Sequence, residues 1–344
     1  MKIKELGHDS VAAWDSFVAQ CPDASFFHRA GWGRVIQAAY GQKPHYLFAE
    51  RDGAVVGVLP LIHLKSPLFG NRLVSTAFTI GGGIAAVDEE ARIALDNAAM
   101  DVLKSSGADY LEYRQPARCH GEGEGWAARS DLYGTFERPI AGDEGECLKQ
   151  IPRKQRAVVR KALEGTLVDE VDSTPERFFQ LYAFSMRNMG TPVFGARFFR
   201  LLMAEFAGDA DCLTVLHDGV PVASVLSFYF RDRVMPYYTG CAPQARDLGA
   251  NDFMYWRLMR RAHDRGFGVF DFGRSKVGTG PYSFKKNWGF TPAPVTHEYR
   301  MAQGGTVPEI NPLNPKYKAF IAVWKRLPLG LANVFGPMVV RHIG

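Results

Sequence analysis

The sequence predicts an α/β protein in which one plan, a mixed and mostly antiparallel sheet flanked by helices, is used twice in tandem. Two observations carry that expectation. First, the segments Tyr46 to Leu59 and Leu213 to Leu226 each read as two apolar strands meeting at an Asp-Gly pair, Asp52-Gly53 and Asp218-Gly219, the dipeptide that favours a tight hairpin turn. Second, each hairpin is followed by the same series of elements. A third strand (Leu73 to Ile80; Val234 to Gly240) leads to an amphipathic helix (about Glu89 to Ser105; about Asn251 to Arg265). Then come a glycine and a strand that ends in an acid, Glu112 or Asp271. The separations, 59 positions from Gly53 to Glu112 and 52 from Gly219 to Asp271, argue for one fold repeated. In such a sheet substrates reach the gap where strands splay.

At 344 residues the chain is long for one core. We expect a first domain over 1–145, a second over 146–300 and a basic, apolar tail over 301–344 that packs back on the protein. The composition, 47% apolar and 22% charged, is that of a soluble globular protein. The net charge of +5 permits an anionic partner without demanding one, and gives no ground for DNA. Cys21, Cys119, Cys147, Cys212 and Cys241 are odd in number and lack a CxxC spacing, so neither a disulfide framework nor a metal site is expected. The amino terminus shows no export pattern, and no uncharged apolar run has spanning length. A cytoplasmic location follows. The tail from Phe320 to Leu329 and on through Val339 to His342 mixes apolar residues with basic charges only. Pro328, Gly330, Gly336 and Pro337 interrupt any long helix, which favours packing back, with peripheral contact at the inner membrane as the alternative.

The stretch from Phe270 to Ser275 and on through Gly280 to Phe290 reads as the wall of an active site. A strand ends in a glycine loop, Gly273, Gly278 and Gly280 supply permissive backbone, and Phe284, Trp288 and Phe290 anchor a loop whose lysines point elsewhere. Pro152 opens a basic helix in which Arg153, Arg156 and Arg160 lie on one face, spaced to grip phosphates.

These segments carry a resemblance. The order of elements resembles the GNAT acyltransferase fold. Two copies in one chain, with Phe-Asp-Phe-Gly-Arg-Ser at 270–275, Tyr282 to Gly289, and Arg153-Lys154-Gln155-Arg156 followed by Arg160-Lys161-Ala162, resemble the Fem family of aminoacyl-tRNA-dependent peptidyltransferases. The likeness spans about residues 20–300. The tail around Trp324 to Leu329 is similar to Fem-like proteins associated with PEP-CTERM and exopolysaccharide systems. The resemblance implies two GNAT-like domains and transfer of an aminoacyl or acyl group to an amine of a cell-envelope or polysaccharide precursor, nucleotide- or lipid-linked. It places Lys285, by its register after Phe284, as the group that stabilises the developing oxyanion.

Transfer to nitrogen needs a donor for the tetrahedral oxygen and a route for the amine proton. Lys285 suits the first, with Asp271 and Arg274 as its organisers; Asp271 reads as an orienting acid ahead of a base. Tyr282, Ser283, Phe284 and Tyr238 are candidate substrate contacts. Tyr237 and Tyr238, adjacent on a strand, are expected to face opposite sides. Asn251 is a candidate helix cap and ligand contact, and His28 and Trp32 are candidates for lining an acceptor cleft. The loop Arg246-Asp247-Leu248-Gly249-Ala250-Asn251 departs from the phosphate-cradling pattern of acyl-CoA enzymes at its last position, and Asp247 would repel a pyrophosphate. No bound cofactor is expected; an aminoacyl-tRNA donor fits better than acyl-CoA or an acyl-carrier protein, which stay open. A degenerate binding module is the non-enzymatic alternative.

Overall fold

The computed structural model describes residues 1–66, 70–115, 118–121, 124–303 and 315–343; over 315–319 it describes backbone alone. The first half of the chain runs β1 (Lys2–Glu5), α1 (Val11–Gln20), α2 (Ala30–Tyr40), β2 (Lys43–Arg51), β3 (Ala54–Ser66), β4 (Gly70–Ser75), β5 (Ala85–Ala86), α3 (Glu89–Ser106), β6 (Tyr110–Gln115) and β7 (Trp126–Arg129). The second runs β8 (Tyr133–Pro139), α4 (Glu144–Lys149), α5 (Arg153–Leu163), β9 (Leu167–Asp172), α6 (Glu176–Met189), α7 (Ala196–Glu205), β10 (Ala210–His217), β11 (Val220–Phe230), β12 (Arg233–Cys241), α8 (Ala250–Asp264), β13 (Val269–Lys276), α9 (Gly280–Asn287) and β14 (Pro292–Pro294). Then follow β15 (Thr296–Met301), α10 (Pro315–Trp324) and α11 (Leu329–Val340).

Both hairpins form where the Asp-Gly pairs stand. Asp52 and Gly53 have φ of 51° and 82°, and Asp218 and Gly219 of 51° and 76°; two consecutive left-handed residues make the turn whose twist matches its strands. Each hairpin also carries a register shift beside its turn, at Ala49/Glu50 and at Val215/Leu216. The third strand and the last strand pair in parallel in both copies, β4 with β6 and β12 with β13. This is the tandem plan read from the sequence.

The strands form two sheets, β1-β2-β3-β4-β6-β15-β7, with β5 beside β3, and β14-β8-β13-β12-β11-β10-β9. By contacts the chain divides into Met1–Tyr133 with Pro294–Ile310 and Arg341–Gly344, and Gly134–Ala293 with Asn311–Val340. The chain passes between the two units repeatedly, whereas the sequence reading drew single breaks after 145 and 300. The reason lies in β8 and β15: β8, before the expected break at 145, joins the second sheet beside β13, and β15, after β14, inserts antiparallel between β6 and β7 of the first.

In the first unit α3 presents Ala91, Leu95, Ala99 and Leu103 to Leu47, Leu59, Leu61, Leu73 and Leu111 of the sheet, a stripe of one residue every four. In the second unit one face of the sheet packs Val225, Phe270 and Phe272 against Phe253, Trp256 and Met259 of α8 and against Trp288 and Phe290. The opposite face is aromatic. Phe178, Tyr182, Phe199 and Tyr238 meet there, and α6 lies so close to β12 that a Cβ on Gly240 would overlap the Tyr182 backbone.

Two local expectations are corrected. The strand predicted over Leu73 to Ile80 stops at Ser75, because Thr79 Oγ1 donates to the Thr76 carbonyl at 3.0 Å and the chain turns into Gly81-Gly82-Gly83. Tyr237 and Tyr238 do not face apart. The ladder steps from Leu226 opposite Tyr238 to Ser227 opposite Pro236, so Tyr237 is the extra residue of a bulge, and the two rings meet edge to face at 4.8 Å. The tail call at 304–314 lies outside the described residues; α10 and α11 belong to the second unit, with Ala332, Gly336 and Val340 of α11 buried.

Candidate active site

The acid of each repeat occupies the third position of its strand, Glu112 in β6 and Asp271 in β13, yet the two stand in opposite electrostatic settings. Glu112 is buried with Arg114 Nε at 2.8 Å and His297 Nδ1 at 2.9 Å. Burial works against its charge, but the Arg114 guanidinium and the His297 imidazole hold the carboxyl well below the usual range. Glu112 is thereby fixed as a structural anion. Asp271 has one hydrogen bond described, from the Gly273 N–H at 2.8 Å, and burial pushes it up to about 6 against that bond. A carboxyl near 6 exchanges protons at neutral pH.

The parallel pairs differ in the same sense. In the first unit the pairing runs over four positions, Arg72 with Tyr110 through Ser75 with Tyr113. Where β4 stops, Gly82 takes over and donates to the Arg114 carbonyl at 2.7 Å. The packing at Gly82 leaves no room for a Cβ beside Ser75. That gap is sealed. In the second unit the described pairing ends after Arg233 with Val269 and Val234 with Phe270, and β13 continues past Asp271 to Gly273, which has φ of 64°.

Lys285 holds that parted strand. Its Nζ donates to three consecutive carbonyls, Phe272 at 2.6 Å, Gly273 at 3.0 Å and Arg274 at 3.1 Å. Consecutive carbonyls of a regular strand alternate in direction; the left-handed Gly273 gathers these three. The ammonium lies 5.5 Å from the Phe136 ring centre and 5.7 Å from that of Phe272. Burial pushes it down to about 8, opposed by Asp271 and reinforced by Arg274. An ammonium has three donors, and all three are committed to main chain. In this geometry the Lys285 ammonium braces the main chain of β13.

The other predicted residues fall into three groups. Beside Lys285, Tyr282 sets its ring edge-on to Phe136 at 5.1 Å, Phe284 packs on Tyr255 at 5.7 Å, and Ser283 is exposed on α9. Tyr282 and Phe284 thus pack at the edge of the core that holds Phe136, Phe270 and Phe272, and Lys285 links α9 to Arg274 through its carbonyl. On α5, Arg153, Arg156 and Arg160 line an open groove of about 450 Å³ with Lys161 and Glu164, and Arg156 also donates to the Ile151 carbonyl at 3.0 Å.

The third group is structural. Tyr238 is 7% exposed within the aromatic cluster. Asn251 is the second residue of α8 and not its cap, which is Gly249 in the left-handed region. His28 and Trp32 are buried in the first unit, where Trp32 Nε1 donates to the Ala77 carbonyl at 3.1 Å and His28 Nε2 sits 3.2 Å from the Gly83 carbonyl. Both steady the loop that seals the first gap.

One residue was missed. Asp252, on α8, accepts from Trp288 Nε1 at 2.8 Å and from Gln155 Nε2 at 2.5 Å. It ties α8 to the end of α9 and to the basic helix α5, and burial pushes its carboxyl up. Its signal in the sequence is its spacing from Trp256 and Met259, which puts it on the buried face of α8.

Among the described residues no cluster of three His, Cys, Asp or Glu side chains is placed to hold a metal ion, and the five cysteines are free thiols.

Residues 146–286 match the sequence model of the acetyltransferase (GNAT) domain family. The structure of FemX superposes with a TM-score of 0.71 at 18% identity, over 88% of this chain and 98% of that one. The fold is a tandem GNAT fold. A tandem GNAT protein from the clavulanic acid biosynthesis pathway matches at TM-score 0.56 and 12% identity, over 89% and 99%. L-PGS from Bacillus licheniformis matches at 0.54 and 14%, over 94% and 98%. Identities this low speak to the fold. None of the curated proteins matches the sequence significantly. In GNAT terms, the parted pair β12/β13 belongs to the segment that matches the family, and its sealed counterpart β4/β6 does not.

Proposed function

We propose that this protein is a Fem-type N-acyltransferase that moves an aminoacyl or acyl group to an amine of a cell-envelope or polysaccharide precursor, working at the parted strands of its second unit. The observation that carries this reading is the asymmetry of the two acids. Glu112 is locked by Arg114 and His297 beside a sealed gap, and Asp271, near 6, stands on the strand that parts. Asp271 takes the proton released as the amine attacks the donor carbonyl. Lys285, by binding three carbonyls, fixes the shape of β13 around it. The patch of Tyr282, Ser283 and Phe284 contacts the transferred group.

The groove on α5 supports a polyanionic donor. Arg153, Arg156, Arg160 and Lys161 meet a single acid there, and rows of exposed arginine recognise phosphate through its charge and oxygen geometry. Aminoacyl-tRNA fits that groove. The GNAT family match favours acyl-CoA as the second donor, with an acyl-carrier protein open as a thioester form. Transfer assays with labelled aminoacyl-tRNA and with acyl-CoA, on an amine acceptor, test the proposal. Transfer from either that is lost in Asp271→Asn supports it. Transfer unchanged in Asp271→Asn refutes the role of this site, and stoichiometric binding of both donors without transfer supports a binding module instead.

A further inference from the structure

The C-terminal helices carry an apolar face that the second unit leaves uncovered. On α11 the buried residues Ala332, Gly336 and Val340 recur every four positions and seat one side of the helix, with Gly336 tight against Val193. The other side presents Leu331 (46% exposed), Val334 (56%), Phe335 (47%) and Met338 (56%). Their spacing of i, i+3, i+4 and i+7 makes one continuous stripe. On α10, Val323 is 64% exposed, and Lys325 and Arg326 directly after that helix are exposed as well. The helix of a soluble protein ordinarily turns polar residues outward; this one seats Ala332, Gly336 and Val340 inward and turns large apolar residues outward.

Charge selects the occupant. From Asn311 to Gly344 the sequence holds Lys316, Lys318, Lys325, Arg326 and Arg341 and not one Asp or Glu. An apolar stripe with the exposed cations Lys325 and Arg326 before its helix and Arg341 after it complements a surface that is apolar below and negative above, the interface of an anionic bilayer. No helix among the described residues is long and apolar enough to cross a membrane, and α11 has only 12 residues, so the fitting pose lies in the plane of the interface.

We infer that the outer face of α11, with the cations around it, is a peripheral docking surface for an anionic lipid bilayer. The inference stands on the tail alone and goes beyond the proposed transfer reaction.

Sedimentation of the full chain with vesicles tests it without donor or acceptor, so its failure is separate from any failure of the transfer reading. The protein is expected to bind vesicles containing phosphatidylglycerol at least tenfold more tightly than vesicles of phosphatidylcholine alone, and less tightly as salt rises. The double variant Val334→Glu/Phe335→Glu is expected to lose binding, and Lys325→Gln/Arg326→Gln to weaken it several-fold. All four positions are exposed, and circular dichroism with a thermal melt confirms that each variant is folded. No binding to anionic vesicles, or equal binding by Val334→Glu/Phe335→Glu, overturns the inference. So does a dimer in light scattering that this double variant dissociates, which would assign the stripe to a second copy of the chain.

Discussion

Lys285 Nζ lies 3.0 Å from the Gly273 carbonyl, in the middle of three carbonyls that converge on it because Gly273 has φ of 64°. The pair explains how a strand can leave its parallel neighbour and keep a defined shape: a buried cation replaces the ladder donors that β13 no longer has. It also couples the glycine loop to α9, whose Phe284 packs on Phe272 of β13 at 6.3 Å.

Removing that cation is expected to cost stability and activity together. Lys285→Met keeps the packing on Phe136 and Phe272 and strips three carbonyls of their donor. A loss of about 2–4 kcal/mol follows from the worth of charge-assisted hydrogen bonds, read by urea denaturation. If Lys285→Met unfolds at the wild-type midpoint while turnover falls a hundredfold, the residue acts on the reaction directly and the positioning role fails.

Wild type is expected to show an acid limb of kcat/KM near pH 6, and Asp271→Asn to abolish it and to cut the plateau by about 10²-fold, within the range for loss of a general base. The same variant is expected to be more stable than wild type at pH 7. The folded carboxyl is raised from its ordinary 3.8 to about 6, so the native state bears the cost of ionising it above pH 6 and none of that cost below 3.8. A gain of about 1–3 kcal/mol at pH 7, after allowing for partial solvent contact, should shrink through pH 6 to 4 and vanish below. A thermal-melt series across pH 3 to 8 checks the sign.

Asp252→Ala leaves the Trp288 indole N–H and the Gln155 amide without their acceptor in a buried setting. A loss of about 2–4 kcal/mol is expected for such stranded donors, with a changed near-ultraviolet signal from Trp288. Asp252→Asn, which keeps an acceptor oxygen and is relieved of a charge that burial disfavours, should retain most of the stability. Equal losses in both variants would show that the charge, and not the acceptor, is what the site needs.

Arg153→Gln with Arg160→Gln removes two exposed cations of the α5 groove without touching the helix bond made by Arg156. KM for a polyanionic donor is expected to rise about tenfold with kcat little changed, and the slope of log(kcat/KM) against log salt to flatten by about 1–2. An unchanged salt slope would remove the groove from donor binding.

Much of the fold was legible in the sequence because it rests on local chemistry. Asp52-Gly53 and Asp218-Gly219 fix their turns through backbone freedom at two residues, and α3 and α8 begin and end within a residue or so of where their periodicity places them. The candidate site was legible only as a neighbourhood. Lys285, Asp271 and Arg274 do meet, but the partners of Lys285 are main-chain carbonyls, which no side-chain pattern announces. Tyr238, His28 and Trp32 are able to meet a ligand by residue type, and only the fold shows that all three are buried. Asp252 passed as one more acid near a helix start until its indole partner came from 36 positions away.

The sequence by itself determined the tandem plan, its turns and helices, and the equivalence of Glu112 with Asp271, since spacing and alternation act over a few residues at a time. Tertiary structure decided how differently the two copies treat their equivalent acids. His297 arrives on β15 to pin Glu112 in the first unit, the glycine loop at 81–83 seals β4 against β6, and Lys285 bends back to bind three consecutive carbonyls of β13. Each depends on groups distant in sequence. The free energy of a buried charge is set by the partners that folding brings to it, and the residue type alone does not fix them.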